Sequence, residues 1–132
     1  MASITGLQRV ALILGGGGFL LFGAWLLVDP AALYRVTDAG VMPDQIKTEL
    51  RAFYGGLELG LGVFILAGLY AQQMLRPALW LIVAAFGGAA LGRLVGMGID
   101  QIPTPYHWIA TAVEGALALL ALSALRSRPR SP

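Results

Sequence analysis

Glu58, Arg93 and Glu114 each lie inside a long apolar stretch of this 132-residue sequence. A charge held in hydrocarbon costs at least a few kcal/mol unless it is paired, neutralised or hydrated. Side chains of these types must therefore meet one another, lose their charge, or hold a ligand. A guanidinium carries five N–H donors in a planar fork and can serve carboxylates in pairs of bonds. The expected arrangement is a Glu58–Arg93–Glu114 cluster with Arg93 bridging both acids, at net charge −1 when all three are ionised. Helical spacing supports an inward orientation. Gly55 and Gly62 flank Glu58 on its own face, Ala89, Ala90 and Gly96 flank Arg93, and Ala110, Thr111 and Ala118 flank Glu114. Small residues of this kind suit close helix contact. Lys47, Arg51, Tyr54 and Glu58 share one helical stripe, and Asp100 and His107 fall at the same end. The expectation is a polar vestibule above the charged cluster. Catalysis finds no support, since neither a nucleophile–base pair nor a cofactor motif is visible. A di-metal carboxylate site needs four carboxylates and two histidines. The chain has one histidine and no cysteine, so no metal or cofactor is expected.

Composition says what must carry these charges. The sequence is 58% hydrophobic and 12% charged, with a mean hydropathy of +0.76. A soluble domain carries about 25% charge, so a water-facing coat is out of reach. A membrane-crossing helix needs roughly 20 apolar residues, and four such stretches are present. They run over about 10–28, 52–70, 78–99 and 108–125, followed by a polar tail at 126–132. The first is too long for the 7–15-residue apolar region of a signal peptide. The fold class is therefore all-α: one domain, a four-span antiparallel transmembrane bundle joined by two short connections and one long one. The long connection, 29–51, reads as a short helix after Asp29-Pro30 and a break at Asp38-Ala39-Gly40. A new helix then starts at Pro43-Asp44 and runs on into the second span. At a rise of about 1.5 Å per residue, Glu58, Arg93 and Glu114 all fall roughly 9–10 Å below the same surface.

Lysine and arginine placement sets the orientation. Arg9, Arg76, Arg126, Arg128 and Arg130 fall on one side. Arg35, Lys47 and Arg51 fall on the other, offset by Asp29, Asp38, Asp44 and Glu49. The bias puts both termini in the cytoplasm. Gly56, Gly60, Gly88, Gly92 and Gly96 recur at four-residue spacing, as expected of helix-packing faces. Trp25, Trp80 and Trp108 read as interfacial anchors. The modest net charge of +2 and the absence of a phosphate loop leave no case for a nucleic-acid partner.

Arg51-Ala52-Phe53-Tyr54-Gly55-Gly56, then Glu58 and Gly60, Gly92-Arg93, Asp100 with Pro103, and Glu114-Gly115 form a pattern over nearly the whole chain. It resembles an uncharacterised bacterial family of small four-helix integral membrane proteins, catalogued only as a domain of unknown function. The resemblance implies a four-span fold and a bacterial inner-membrane location. It implies no activity. In outline the chain is also similar to DoxX-like four-helix proteins, some of which are associated with quinone-linked redox systems, an analogy of fold alone.

Two functions fit. The first is a non-catalytic accessory or assembly subunit whose glycine-rich faces dock within the bilayer against a larger membrane complex or a second copy. The second is a binder or proton-coupled carrier of a small amphipathic, lipid-like or quinone-like ligand. There Arg93 and Arg51 supply positive charge, Tyr54 and His107 orientation, and the carboxylates proton exchange.

Overall fold

The structure, a computed structural model, describes residues 4–127. Among them are five helices: α1 (Gly6–Val28), α2 (Ala31–Thr37), α3 (Asp44–Ala67), α4 (Gln72–Asp100) and α5 (Pro105–Arg126). α1, α3, α4 and α5 are each long and apolar enough to cross a membrane. The polar tail expected after residue 126 lies, beyond Ser127, outside the described residues.

The helix boundaries follow from local chemistry. Thr5 and Gln8 close a reciprocal capping box at the start of α1, and Thr104 and His107 do so at the start of α5. Each box satisfies backbone donors that a helix start leaves without partners. After α1 the chain turns through Pro30 into α2, which ends where Asp38 adopts a left-handed conformation at φ 57°. Gly40 follows at φ 79°, a backbone region that glycine enters without steric penalty. α4 likewise ends on a left-handed residue, Gln101, whose side chain donates back to the Gly98 carbonyl.

Two features depart from the pattern read off the sequence. Pro77, expected in a connection, lies inside α4, which begins five residues earlier. α3 is continuous, but its hydrogen-bond register changes along its length. A 3₁₀ turn at Asp44–Ile46 leads into an α-turn at Lys47–Leu50, a π-helical segment at Arg51–Leu57 and regular α-helix at Glu58–Ala67. The π segment coincides with the Arg51–Gly56 motif and delivers the chain to Glu58.

The spans pack antiparallel in chain order. α1 meets α3 through glycines spaced seven apart, Gly16 and Gly23 against Gly55 and Gly62. A Cβ on Gly23 would stand 3.0 Å from the Gly55 carbonyl oxygen, and one on Gly55 would stand 2.9 Å from Leu27 Cα. The two backbones are in direct contact there. Gly15 accommodates Ile82, and Phe19 packs on Phe86 with ring centroids 4.5 Å apart, which seats α4 against α1. Ala11, Leu12, Ile65, Leu79, Ile82 and Ala121 form the buried apolar core, at the early turns of α1 and α4 and the late turns of α3 and α5. That end is closed by Gln8, whose amide donates to the Ala124 and Ser127 carbonyls, and by a Thr5–Ser127 hydroxyl pair. Glu58, Arg93 and Glu114 lie in the opposite half.

Candidate functional site

α4 carries Arg93 two turns before its C-terminal end, and α5 carries Glu114 more than two turns after its start. Because the helices run antiparallel, the two side chains arrive at one level. Arg93 donates from Nη2 to Glu114 Oε1 at 2.6 Å and from Nε to Oε2 at 3.3 Å. The pair is two-pronged, the strongest form an arginine–carboxylate contact takes. It is largely enclosed: 25% of the Arg93 side chain and 15% of the Glu114 side chain remain exposed. The Arg93 guanidinium also lies over the Tyr106 ring, 5.6 Å from its centroid, an attractive cation–π geometry.

Glu58, on α3, does not join this pair. It is half-buried and within electrostatic reach of Glu114 and Tyr106. It forms no hydrogen bond or ion pair among the described residues. The expected bridge of one arginine between two acids is therefore replaced by a closed pair with a third charge beside it. The pair engages Nε and Nη2 of Arg93 with both oxygens of Glu114, and none of the remaining N–H groups bonds to Glu58.

The remaining residues expected at the site divide. Tyr54, on the π segment, is 42% exposed and lies within electrostatic reach of both Arg93 and Tyr106. Arg51 sits one turn earlier and is committed elsewhere. Its Nε donates to the Leu27 carbonyl at 3.0 Å, and so satisfies one of the carbonyls that the last turn of α1 leaves without partners. Lys47 pairs with Asp44 three residues before it. His107 accepts the Thr104 N–H on Nδ1 at 3.0 Å as the capping partner of α5. Asp100 is exposed at the end of α4, without an ion pair among the described residues. The vestibule thus has its tyrosine, while Arg51 and His107 engage the backbone and Lys47 engages Asp44.

Tyr106 belongs to the site and was not expected there. Its position eight residues before Glu114 places it two turns away on the same side of α5, a spacing that could have found it.

Of the glycines expected at helix contacts, Gly55 and Gly62 beside Glu58 do pack, while the row at four-residue spacing does not. Gly60, Gly88 and Gly92 have open space where a Cβ would stand, Gly56 meets only the Arg51 carbonyl, and Gly96 only Asp100. Close contact falls instead to Gly15, Gly16, Gly23, Gly55, Gly62 and Gly68. Gly56 and Gly60 border an open apolar groove of about 780 Å³ between α3 and α4, shared with Phe64, Pro77, Trp80 and Ala84. On α4 the row at every fourth residue continues through exposed Gly88 and Gly92. No group of three His, Cys, Asp or Glu side chains suited to a metal ion occurs among the described residues.

No curated protein and no solved structure shows a significant match to this chain. The family model for a domain of unknown function (DUF4345) matches residues 7–125, which include all four spans but for their outermost residues and every member of the charge cluster. The chain belongs to that family.

Proposed function

We propose that the protein is a non-catalytic membrane subunit that associates sideways, within the bilayer, with a helix of another chain: a second copy or a larger membrane complex. The observation that carries this reading is the glycine-bordered groove between α3 and α4. Within a bilayer, helices associate through close van der Waals packing rather than through a hydrophobic drive, and small residues permit it. The fold uses one set of glycines for its own α1–α3 contact and leaves Gly60, Gly88 and Gly92 uncovered. The orientation that fits the arginine bias has the Thr5–Ser127 end in the cytoplasm of a bacterial inner membrane, with the charge cluster toward the outer face. Mass measurement after mild extraction tests the association. The native protein should run as a defined oligomer or hetero-complex, and Gly60→Leu with Gly88→Leu should reduce it to a folded monomer. A native protein that is strictly monomeric, with no co-purifying chain, overturns the reading.

A second reading, a ligand-binding protein, is favoured by one specific observation. Glu58 stands beside a completed ion pair without a partner of its own, and charged side chains within membrane spans mark binding or transport paths more often than not.

A further inference from the structure

Charge is divided unevenly between the two ends of the bundle. All seven Asp and Glu residues of the chain fall in the half that holds Glu58, Arg93 and Glu114. The closed end carries Arg9, Arg76 and Arg126, all exposed, and none of the three forms an ion pair among the described residues. Of these, Arg76 borders a cavity. It directly precedes Pro77, and it stands one turn before Trp80 and two turns before Ala84, on the face of α4 that lines the apolar groove of about 780 Å³. Phe64, near the end of α3, lines the facing wall. No charged residue lines the groove itself. An arginine in such a place lays its stem along apolar surface and carries its head to the level of the lipid headgroups. The occupant that fits is therefore apolar along the groove and negative at the Arg76 end. A second copy inserted in the same sense brings only arginines to that level. A phospholipid with net negative charge has both features, and basic residues at the ends of membrane-spanning helices attract such lipids.

We propose that this end of the groove holds an anionic phospholipid, its phosphate accepting from the Arg76 guanidinium and one acyl chain lying along Pro77, Trp80 and Phe64. The site goes beyond the association proposed above, which turns on Gly60 and Gly88, and it is independent of the Glu58 cluster in the other half. The ligand is the whole lipid, since the phosphate alone would leave the groove unfilled.

Native mass spectrometry of the full chain in detergent tests it with three probes. Dioleoylphosphatidylglycerol is the anionic lipid, dioleoylphosphatidylcholine has the same chains without net charge, and glycerol phosphate has the charge without the chains. Phosphatidylglycerol should bind more tightly than either of the others, by about fivefold, the effect of one arginine beside an anionic lipid. Arg76→Gln should remove that preference, and Arg76→Lys, which keeps the charge, should keep most of it. Ala84→Trp, which narrows the groove and leaves every arginine in place, should weaken phosphatidylglycerol by a similar factor. Arg126→Gln, on a helix that does not line the groove, should leave its binding unchanged. Because Arg76 has no ion pair to lose, Arg76→Gln should keep the thermal midpoint of the native protein, which separates lost binding from lost fold. Equal binding of the two lipids overturns the proposal. So does an equal loss in Arg76→Gln and Arg126→Gln, or full binding in Ala84→Trp. The same spectra give the association state: a monomer that prefers phosphatidylglycerol overturns the association alone, and an oligomer without that preference overturns the lipid site alone.

Discussion

Arg93 and Glu114 show how a single pairing decides the character of a site. Removing one member of an enclosed ion pair strands the other without solvation, at a cost of about 3–5 kcal/mol. Arg93→Ala should therefore destabilise the bundle by roughly 3 kcal/mol, and Arg93→Ala with Glu114→Gln should recover most of that loss, since the carboxylate that lost its partner is then neutral. Glu58→Gln added to Arg93→Ala should recover little, because Glu58 is not bonded to Arg93. Unfolding titrations of the three variants in mixed micelles check the order, and a larger rescue by Glu58→Gln than by Glu114→Gln would contradict the pairing. That Arg93 would pair with an acid of another helix was legible in the sequence, because an ion in hydrocarbon has few options; that Glu58 would join them was not met. Which acid takes the guanidinium was not legible, because it depends on side-chain reach between helices, and spacing along a chain gives height but not azimuth. At the surface, Asp29 accepts from Arg35, whose hydrogen bond and charge hold its carboxyl below the ordinary value of 3.8. A lowered pKa adds stability that is complete above that ordinary value and is lost as pH falls through the lowered one. Arg35→Ala should thus move the Asp29 titration midpoint upward in NMR and, at neutral pH, remove the small stabilisation that this exposed pair supplies.

At the scale of elements, the α1–α3 contact carries the most exacting geometry. Gly55 faces Leu27 Cα at a distance no real Cβ tolerates, in a π-helical turn where backbone must also shift to absorb any strain. Inserting a methyl group into a filled contact costs about 1–3 kcal/mol, so Gly55→Ala should destabilise by that amount. Gly92→Ala should be neutral or stabilising by up to about 1 kcal/mol in the isolated chain, because Ala is the better helix former and Gly92 faces open space. Comparing the two variants by thermal unfolding checks the assignment; equal penalties would mean that α4 is also covered. The sequence displays glycine every fourth residue on both α3 and α4, yet the α1–α3 contact uses a seven-residue repeat. Periodicity alone cannot tell a face that is covered from a face that is bare. The π segment was illegible for a related reason: it arises where Gly55 must lie against α1 while Arg51 reaches the Leu27 carbonyl, two long-range demands on one short stretch. The α2 helix and the breaks at Asp38 and Gly40 were legible because proline, glycine and aspartate act locally.

For the whole molecule, the two halves of the bundle differ. The half bearing Thr5 and Ser127 is closed by Gln8 over an apolar core, and the half bearing the α1–α2 and α4–α5 connections contains Glu58, Arg93 and Glu114. Such a division gives the molecule a direction, and the proposed orientation follows the arginine bias: Arg9, Arg76 and Arg126 sit at or near the closed end, which that proposal puts in the cytoplasm. Since the chain has no cysteine, single substitutions report on each face without background. Gln101→Cys, in the α4–α5 connection, should react in intact cells with a thiol reagent that cannot cross the inner membrane. Gln73→Cys, at the start of α4, should react only after the membrane is opened. The opposite pattern would turn the bundle over and place the Glu58 cluster toward the cytoplasm; labelling at both positions in intact cells would mean that the bundle takes both orientations, as the small excess of arginine on one side would then be too weak to fix it.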